Sequence, residues 1–470
     1  MKSFFKTPEK KEKYTLILGD IILIALVMLG CFTVELTLKG KLGTFLDPIA
    51  PLSAFAKLVA IFNLGLLVVF FVALFCIFYI PIFYLGGLYE IDLVFNKKRA
   101  LLRTLSSVVF GCVLIFAVLN IFWRRLFPLE VWGFHLIALC VVTYVWRVVF
   151  SKMLQKRKPF SIFFSGRDSL IDKGKAYLSS SNGRRFFEMS QCSNDGSNNA
   201  VLEDSLRSNE HDMVVYPFLS KLSQDQMVSL VKEKFSGKRV CSSVTFYKNV
   251  TGSFPVFELE PQWLIDHSIS LSLANQVQQR IKRVADILFS LMGIVLSLPI
   301  MAVTAVLIKL TSKGPVLFVH DRLGINRKPF RLYKFRTMIE GAEKESGPVW
   351  AQKDDPRVTK VGKILRKTRL DELPQFFNVL KGDMSFVGPR PIREFFAEKL
   401  SKEFPYYYLR FYVKPGLTGW AQVSGSYGET IEGQLRKLEY ELFYIHEYSL
   451  LLDGVIILKT IQNVLRARGQ

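Results

Sequence analysis

Four long apolar stretches open the chain. They run from Leu16 to Leu36, from Leu58 to Leu85, from Leu105 to Phe122 and from Val131 to Phe150. Each is close to the roughly 20 residues that an α-helix needs to cross the core of a bilayer. The first has no small-residue cleavage site after it, so we do not expect it to be a cleaved signal. The pattern therefore predicts four transmembrane helices, packed as a bundle, within residues 1–152.

Basic residues gather at alternate ends of these stretches. They precede the first stretch, separate the second from the third and follow the fourth: Lys2, Lys6, Lys10, Lys11, Lys13, Lys97, Lys98, Arg99, Arg103, Lys152, Lys156, Arg157 and Lys158. The two other loops carry fewer basic residues, such as Lys39, Lys41, Arg124 and Arg125. The positive-inside rule makes the rich clusters cytoplasmic. The chain after residue 152 is therefore expected in the cytoplasm.

Residues 153–272 are less hydrophobic and have the pattern of a soluble α/β module. Short apolar runs predict strands, and one amphipathic stretch predicts a helix. The strands are Ser161–Ser165, Met213–Tyr216 and Arg239–Ser243, and the helix is Ser223–Phe235. The first turn, Ser165-Gly166-Arg167-Asp168, has one glycine where a dinucleotide fold has G-x-G-x-x-G, so no bound dinucleotide is expected. We interpret the module as a degenerate Rossmann-like scaffold or interaction domain.

A fifth apolar run extends from Ile287 to Leu310, within a C-terminal domain of residues 273–470. Ser297 and Pro299 stand at its centre, and proline removes a helix hydrogen bond, so a break or kink is expected there. Basic residues flank both ends of the run. A re-entrant helix at about 284–310 would keep both ends in the cytoplasm. An ordinary fifth span with a proline kink is the alternative, because spanning helices tolerate proline.

Composition agrees with a membrane protein. Half of the 470 residues are hydrophobic and 40 are Phe. The net charge of +22 is not accompanied by a nucleic-acid-binding motif, so we expect anionic membrane lipid and phosphate-rich substrates rather than nucleic acid. The six cysteines form no C-x-x-C, which argues against a zinc site or a disulfide framework.

Two adjacent carboxylates, Asp371 and Glu372, stand among many arginines and lysines between Phe318 and Arg393. Arginine forks bind phosphate oxygens in pairs, although a basic membrane-facing surface would explain any single lysine. Asp371 is predicted to be the N-cap of a helix from about Glu372 to Lys381, and a purely structural capping role is the alternative. Two carboxylates among cations also fit a Mg²⁺ site for polyphosphate, and a carboxylate can attack phosphorus itself.

Several motifs occur here in a fixed order. They are Lys334-Phe335-Arg336-Thr337-Met338, Leu365-Arg366-Lys367-Thr368-Arg369-Leu370-Asp371-Glu372-Leu373-Pro374-Gln375, Lys381-Gly382-Asp383-Met384-Ser385, Val387-Gly388-Pro389-Arg390-Pro391 and Lys414-Pro415-Gly416-Leu417-Thr418-Gly419-Trp420-Ala421-Gln422-Val423. From about Gln279 to the C-terminus the chain resembles the bacterial sugar transferases called monotopic phosphoglycosyl transferases, including the undecaprenyl-phosphate galactose and glucose phosphotransferases. The preceding helices and α/β module resemble the large form of that family.

The resemblance implies an enzyme mechanism. Asp371 would attack the β-phosphate of a UDP-sugar, UMP would leave, and a phosphosugar would stay covalently attached to the aspartate. Undecaprenyl phosphate would then take up the phosphosugar. Glu372 would help to bind Mg²⁺, together with Asp371, or activate the acceptor, and both roles stay open.

The resemblance also implies roles for five other residues. Arg366 and Arg390 match family positions associated with substrate phosphates, and Lys334 and Arg336 lie in family motifs that we assign to the same task. Asp383 is a further candidate of uncertain role. Neutralising phosphate charge is most of what phosphoryl transfer asks of a protein.

For the whole chain the resemblance implies a multi-pass protein of the bacterial inner membrane. Its C-terminal domain would be mostly α-helical and cytoplasmic, with a re-entrant membrane helix broken at Ser297 and Pro299 and amphipathic interfacial helices. The tail from Gly425 to Asp453 favours UDP-glucose or UDP-galactose as donor, and the reaction would be the first membrane step of exopolysaccharide, capsule or O-antigen synthesis. A homodimer is mildly favoured.

Two other functions are alternatives to this one. The first is a non-catalytic membrane scaffold or sensor whose cytoplasmic module binds a nucleotide. The second is a polytopic lipid phosphotransferase, but the apolar stretches lack the clustered intramembrane aspartates that such a site needs.

Overall fold

The computed structural model describes residues 8–38, 54–90, 97–122, 128–180, 187–191, 211–218, 222–259, 276–342, 355–425 and 430–465. Cys192, the loops that carry Lys39 and Arg125, and residues 426–429 of the tail lie outside these ranges. The chain divides into two compact units. The first comprises Met1–Arg167, Lys175–Tyr216 and Lys221–Val240, and the second comprises Asp168–Gly174, Pro217–Ser220 and Cys241–Gln470.

The first unit begins with four helices that contain the predicted apolar stretches. They are α1 (Pro8–Leu38), α2 (Ala54–Leu85), α3 (Lys97–Phe122) and α4 (Leu129–Gln155). Each of them contains a segment long and apolar enough to cross a membrane. Contacts connect α1 with α2, α2 with α3, α3 with α4 and α4 with α1. The prediction of several long apolar helices at the N-terminus is thus confirmed.

A buried ion pair joins the first and last of these helices. The guanidinium of Arg147 on α4 donates to both carboxylate oxygens of Asp20 on α1, at 2.8 and 2.7 Å, and both side chains are buried. A charge in this apolar surrounding is tolerated because it is paired. The pair fixes how α1 and α4 align.

A four-stranded sheet follows the helices. Its strands are β1 (Phe160–Phe164), β2 (Phe187–Gln191), β3 (Met213–Tyr216) and β4 (Arg239–Ser242), in the order β2-β1-β3-β4. Strand β1 runs parallel to both β2 and β3. The predicted strands β1, β3 and β4 are present, while β2 was not predicted. Only its first residue, Phe187, is buried, so it has no apolar run to mark it.

Three helices alternate with or follow these strands along the chain: α5 (Ser169–Ser180), α6 (Gln224–Phe235) and α7 (Ser243–Thr251). Helix α6 was predicted, and Ser223 begins it with a capping box in which the Ser223 hydroxyl accepts from the Gln226 N–H and the Gln226 side chain accepts from the Ser223 N–H. The short α7 was not predicted.

The second unit contains a long helix, a hairpin and a set of shorter elements. They are α8 (Gln276–Thr311), β5 (Leu317–Leu323), β6 (Pro329–Phe335), α9 (Lys360–Thr368), α10 (Gln375–Lys381), β7 (Ser385–Val387), α11 (Glu394–Glu403), β8 (Gly416–Thr418), α12 (Trp420–Ser424), α13 (Ile431–His446) and α14 (Leu450–Leu465). Strands β5 and β6 are antiparallel, and β7 pairs with β8 in parallel. A main core forms around α13 and α14, with Leu438, Leu442 and Ile456 fully buried.

Helix α8 is attached to the rest of the second unit near its start. The guanidinium of Arg283 donates to the carbonyl oxygens of Val379 and Leu380, both at 2.7 Å, and so caps the C-terminus of α10. One turn further, Asp286 accepts hydrogen bonds from the Ser385 hydroxyl and the Phe386 N–H at 3.1 and 2.9 Å. These bonds place the start of α8 beside α10 and β7.

At its centre, α8 differs from the helix that the sequence predicted. The helix continues without a break through Pro299, where the sequence predicted a kink or a break, and the Ser297 hydroxyl donates to the Gly293 carbonyl at 2.6 Å. A back-bonded serine next to a proline tends to bend a helix without ending it. Just past the end of α8, the Ser312 carbonyl accepts from the guanidinium of Arg336 at 3.0 Å.

Candidate active site

The two candidate carboxylates lie on a tight turn between α9 and α10. Arg369 ends α9 in the left-handed conformation with φ 57°, which is unusual for a residue with a Cβ. Leu370–Glu372 then form a single 3₁₀ turn. The helix that was predicted to begin at Glu372 begins instead at Gln375, and its N-cap is Pro374.

The prediction of Asp371 as N-cap is therefore wrong. The backbone N–H of Glu372 bonds to the carbonyl of Arg369 at 3.2 Å, as part of the 3₁₀ turn that separates Asp371 from α10. Because Asp371 is not needed as a cap, its carboxylate is available for chemistry. The left-handed backbone of Arg369, two residues before Asp371, is of the strained kind that is common at functional sites.

Glu372 is held by two cations. Its Oε1 lies 2.5 Å from Nη2 of Arg390, in the segment after β7, and 3.1 Å from Nζ of Lys334 on β6. Burial alone would raise the pKa of the Glu372 carboxyl, but Arg390 and Lys334 outweigh it and hold that pKa well below its usual range. Glu372 is therefore ionised at every physiological pH.

Asp371 is buried but less tightly paired. Its Oδ2 lies 4.0 Å from Nζ of Lys334. Burial raises the pKa of the Asp371 carboxyl and the charge of Glu372 raises it further, while the cations Lys334, Arg390 and Arg366 oppose them without cancelling the rise. The two neighbouring carboxyls thus have pKa values displaced in opposite directions, which commonly separates two catalytic roles.

Arg366 approaches the pair from α9. Its Nε donates to the Thr337 hydroxyl at 3.0 Å, just after β6, and its charge lowers the pKa of Asp371. A Cβ on Gly362 would lie 2.0 Å from the Thr337 carbonyl, so only glycine lets α9 come this close to the end of β6. Of the predicted phosphate-binding residues, Lys334, Arg390 and Arg366 are thus brought to the carboxylates.

The other two predicted residues lie elsewhere. Arg336 is 6% exposed and binds Ser312 through its Nη2, while its Nε and Nη1 have no hydrogen-bond partner among the described residues. Asp383 lies 3.4 Å from Nζ of Lys381. Arg336 therefore fastens the end of α8 to the strand that carries Lys334, and its assignment to phosphate stays a prediction.

Two residues that support the site were not predicted. The guanidinium of Arg410 makes two bonds of 2.8 Å to the Glu441 carboxylate on α13, and both side chains are 3% exposed in this pair. A third bond, also of 2.8 Å, runs from Nη2 of Arg410 to the Arg390 carbonyl. A single charged residue inside an apolar run, as in Leu409-Arg410-Phe411, was the signal available, because buried charges need partners.

The carboxylates can be tested as a site for Mg²⁺. Among the described residues, no group of three or more His, Cys, Asp or Glu side chains could enclose a metal ion. Mg²⁺ often takes one or two protein carboxylates and completes its shell with water and substrate phosphates. Asp371 and Glu372 fit such an open site, although Lys334 and Arg390 already occupy one oxygen of Glu372.

The first turn of the α/β module carries a carboxylate where a dinucleotide fold would hold phosphate. Asp168 accepts from the N–H of Ile171 at 2.7 Å, at the N-terminus of α5, and from the N–H of Phe218 at 3.0 Å. A negative charge there repels phosphate and uses the donors that would bind it. This contact weakens the nucleotide-sensor alternative.

Comparison with known proteins gives a consistent result. The family model described as bacterial sugar transferase matches residues 277–467. The chain is 50% identical over 157 residues to a putative undecaprenyl-phosphate N-acetylgalactosaminyl 1-phosphate transferase from Bacillus subtilis, and this match covers 33% of the chain and 83% of that relative.

Two longer relatives also match. A UDP-N-acetylgalactosamine-undecaprenyl-phosphate N-acetylgalactosaminephosphotransferase from Aeromonas hydrophila is 46% identical over 206 residues, which are 44% of the chain and 48% of the relative. A UDP-glucose:undecaprenyl-phosphate glucose-1-phosphate transferase from Klebsiella pneumoniae is 47% identical over 189 residues, which are 40% of each chain. The match thus spans less than half the length of these two relatives.

Proposed function

The chain belongs to the bacterial sugar transferase family, and from this we propose that it transfers a sugar 1-phosphate from a UDP-sugar to undecaprenyl phosphate and releases UMP. The observation that carries the proposal is the unequal pair of buried carboxyls. Glu372 is bound by Lys334 and Arg390, whereas Asp371 lies beside the same cations without a close ion pair.

In the first step, an oxygen of the Asp371 carboxylate attacks the β-phosphorus of the UDP-sugar. The bond from that phosphorus to the bridging oxygen breaks, and UMP leaves with the bonding electrons. The product is an acyl phosphate that links Asp371 to the sugar through the phosphoryl group. This divides one difficult transfer into two easier ones.

In the second step, a phosphate oxygen of undecaprenyl phosphate attacks the same phosphorus. The acyl phosphate bond breaks, Asp371 regains its carboxylate, and the lipid carries a diphosphate-linked sugar. Lys334 and Arg390 are placed to neutralise charge on the transferred phosphoryl group, and Arg366 lies close enough to assist. Glu372 holds Lys334 and Arg390 in position between turnovers.

We propose that Mg²⁺ binds at Asp371 and Glu372 together with substrate phosphate oxygens. The ion would neutralise phosphate charge when bound. Support comes from the two adjacent carboxylates, which offer the hard oxygen ligands that Mg²⁺ prefers.

We also propose that α8 is a re-entrant membrane helix, so that the active site faces the cytoplasm. A straight helix of 36 residues would be about 54 Å long. Yet Arg283 near its start binds the end of α10, while Ser312 just past its end binds Arg336 after β6. The side chain of Asn378 on α10 bonds to Arg331 and Tyr333 of β6 at 2.7 and 3.0 Å, so the two attachment points lie on neighbouring elements. A bend at Ser297 and Pro299 explains how both ends reach them.

The donor sugar follows less directly from the residues. UDP-glucose or UDP-galactose is our proposal, but the relatives include enzymes named for N-acetylgalactosamine as well as for glucose. A test of the function must therefore include N-acetylated donors.

The test is a UMP-release assay with the full chain in lipid nanodiscs, Mg²⁺, undecaprenyl phosphate and UDP-glucose, UDP-galactose or their N-acetylated forms. We expect UMP with at least one donor, and sustained turnover only when the lipid phosphate is present. The Asp371→Asn variant is the control for contaminating hydrolases. Absence of UMP with every donor would contradict the proposal and favour a non-catalytic scaffold.

A further inference from the structure

Cationic side chains extend along the β5–β6 hairpin beyond the two carboxylates. Lys334 pairs with Phe318 across the hairpin, and Arg322 lies four residues further along β5. Alternate residues of a strand share a face, so Arg322 and His320 lie on the same face as Lys334. Arg322 is displaced from the Lys334 position by about 13 Å, towards the hairpin turn and away from the C-terminal end of α8, which precedes β5.

Arg322 is oriented by its neighbours. Its Nε donates to Nδ1 of His320 at 3.1 Å. Burial and the charges of Arg322, Arg393 and Lys334 lower the pKa of His320 to about 3, so the ring is neutral and can accept that bond. The backbone N–H of Leu323 bonds to the Ile392 carbonyl at 2.9 Å, which brings the segment that contains Arg390 to the end of β5.

A lysine from α13 joins this face. Lys437 lies one helical turn before Glu441, on the same side of α13. Glu441 binds Arg410, and Arg410 binds the Arg390 carbonyl, so this side of α13 faces the Arg390 segment. Lys437 is partly buried and forms no hydrogen bond or close ion pair with the residues that the structure describes.

The carboxylates of this region already bind other cations. Burial lowers the pKa of Lys437, Glu441 opposes this, and the cations Arg410, Arg390 and Arg322 add to the lowering, so that the pKa is about 8. Glu441 is already bound to Arg410, and Glu372 is already bound to Lys334 and Arg390. A partly buried ammonium among arginines is stabilised when an anion binds beside it.

We propose that Lys437, Arg322 and Arg390 form a second phosphate subsite next to the transferred phosphoryl group, and that it holds the α-phosphate of the donor and then of the leaving UMP. The subsite deepens the proposed function and rests on it. A phosphate monoester could also come from the lipid acceptor. The nucleotide is favoured because Arg322 lies towards the hairpin turn, beyond Lys334 and away from the C-terminal end of α8.

Nucleotide binding at this subsite is coupled to the protonation of Lys437. Four charged groups act on the pKa of Lys437: Glu441 on α13, Arg410 after α11, Arg390 after β7 and Arg322 on β5. Arginine side chains keep their proton in proteins, so the three guanidinium charges do not change with pH. A bound phosphate raises the pKa of Lys437, so the affinity for UMP should fall as the pH rises through about 8, where the empty site loses its ammonium.

The test measures UMP binding to the full chain in nanodiscs by calorimetry. The Lys437→Met variant should bind UMP about tenfold more weakly at pH 7 and lose the fall in affinity between pH 7 and pH 9. Lys437→Arg should keep most of the affinity but not the pH dependence. Lys402→Met, which removes an exposed lysine of α11, should leave UMP binding unchanged.

Other outcomes would overturn the subsite. Unchanged UMP affinity in both Lys437→Met and Arg322→Gln would exclude it, while the wild type still releases UMP and the proposed function stands. A higher KM for undecaprenyl phosphate with unchanged UMP affinity would assign these cations to the lipid. A wild type that neither binds nor releases UMP would remove the subsite and the proposed function together.

Discussion

The carboxylate of Glu372 accepts a hydrogen bond from Nη2 of Arg390 at 2.5 Å, although Glu372 precedes α10 and Arg390 follows β7. Lys334 binds the same oxygen at 3.1 Å and comes no closer than 4.0 Å to Asp371. The cations needed for phosphate are therefore held by one carboxylate beside a second one that is less engaged. Substitutions of Asp371 and of Glu372 are therefore expected to have different effects.

Replacing the nucleophile should remove the covalent intermediate. With a UDP-sugar and no lipid, intact mass spectrometry of the wild type should show a phosphosugar adduct, and Asp371→Asn should show none. The steady-state rate of this variant should fall by at least about a thousandfold. Glu372→Gln keeps the nucleophile and should still form the adduct, more slowly. An adduct that persists in Asp371→Asn would assign the attack to another residue.

The acidic limb of the pH profile should report on Asp371. Burial and the charge of Glu372 raise its pKa, so kcat/KM should increase with pH through a value above that of an ordinary aspartate. Lys334→Met removes a cation that lowers this pKa, so the limb should move to higher pH. Glu372→Gln removes a negative charge and should move it to lower pH. Shifts in the opposite directions would mean that Asp371 is not the titrating group.

Long apolar runs made much of the fold predictable. The four N-terminal helices contain the predicted stretches, and β1, β3, α6 and β4 begin or end within one residue of expectation. The half-polar strand β2 had no comparable signal. Ring packing and burial, rather than composition, decide such short edge elements.

The site was predictable in its residue types but not in its geometry. The motifs marked Asp371, Glu372, Lys334 and Arg390, which the structure brings together. The left-handed conformation of Arg369 is not predicted by helix or turn propensities of the residue types. It ends α9, and α10 then begins at Gln375. The Arg410–Glu441 pair joins residues 31 positions apart, and a single sequence does not reveal such pairings.

The Arg410–Glu441 pair should affect both stability and catalysis. Glu441→Leu alone leaves a buried guanidinium without its partner and should cost about 3–5 kcal/mol of unfolding free energy. The double variant Arg410→Met, Glu441→Leu should recover most of that stability, measured by thermal unfolding. It should not recover activity, because the Arg390 carbonyl has lost its donor. We expect kcat to stay about tenfold low, and wild-type kcat in the double variant would mean that the pair is only structural.

The orientation of α8 can be tested by cysteine labelling in cells. In a background without the six native cysteines, Lys313→Cys, two residues past the end of α8, should resist an impermeant maleimide until the membrane is permeabilised. Arg125→Cys, in a loop predicted outside, is the positive control, and Lys152→Cys, at the end of α4 that is predicted to be cytoplasmic, is the negative control. A re-entrant helix gives Lys313 and Lys152 the same protection, since both lie in the cytoplasm. Labelling of Lys313→Cys in intact cells would show that α8 spans the bilayer and would place the carboxylate pair on the outer side, where no UDP-sugar is made.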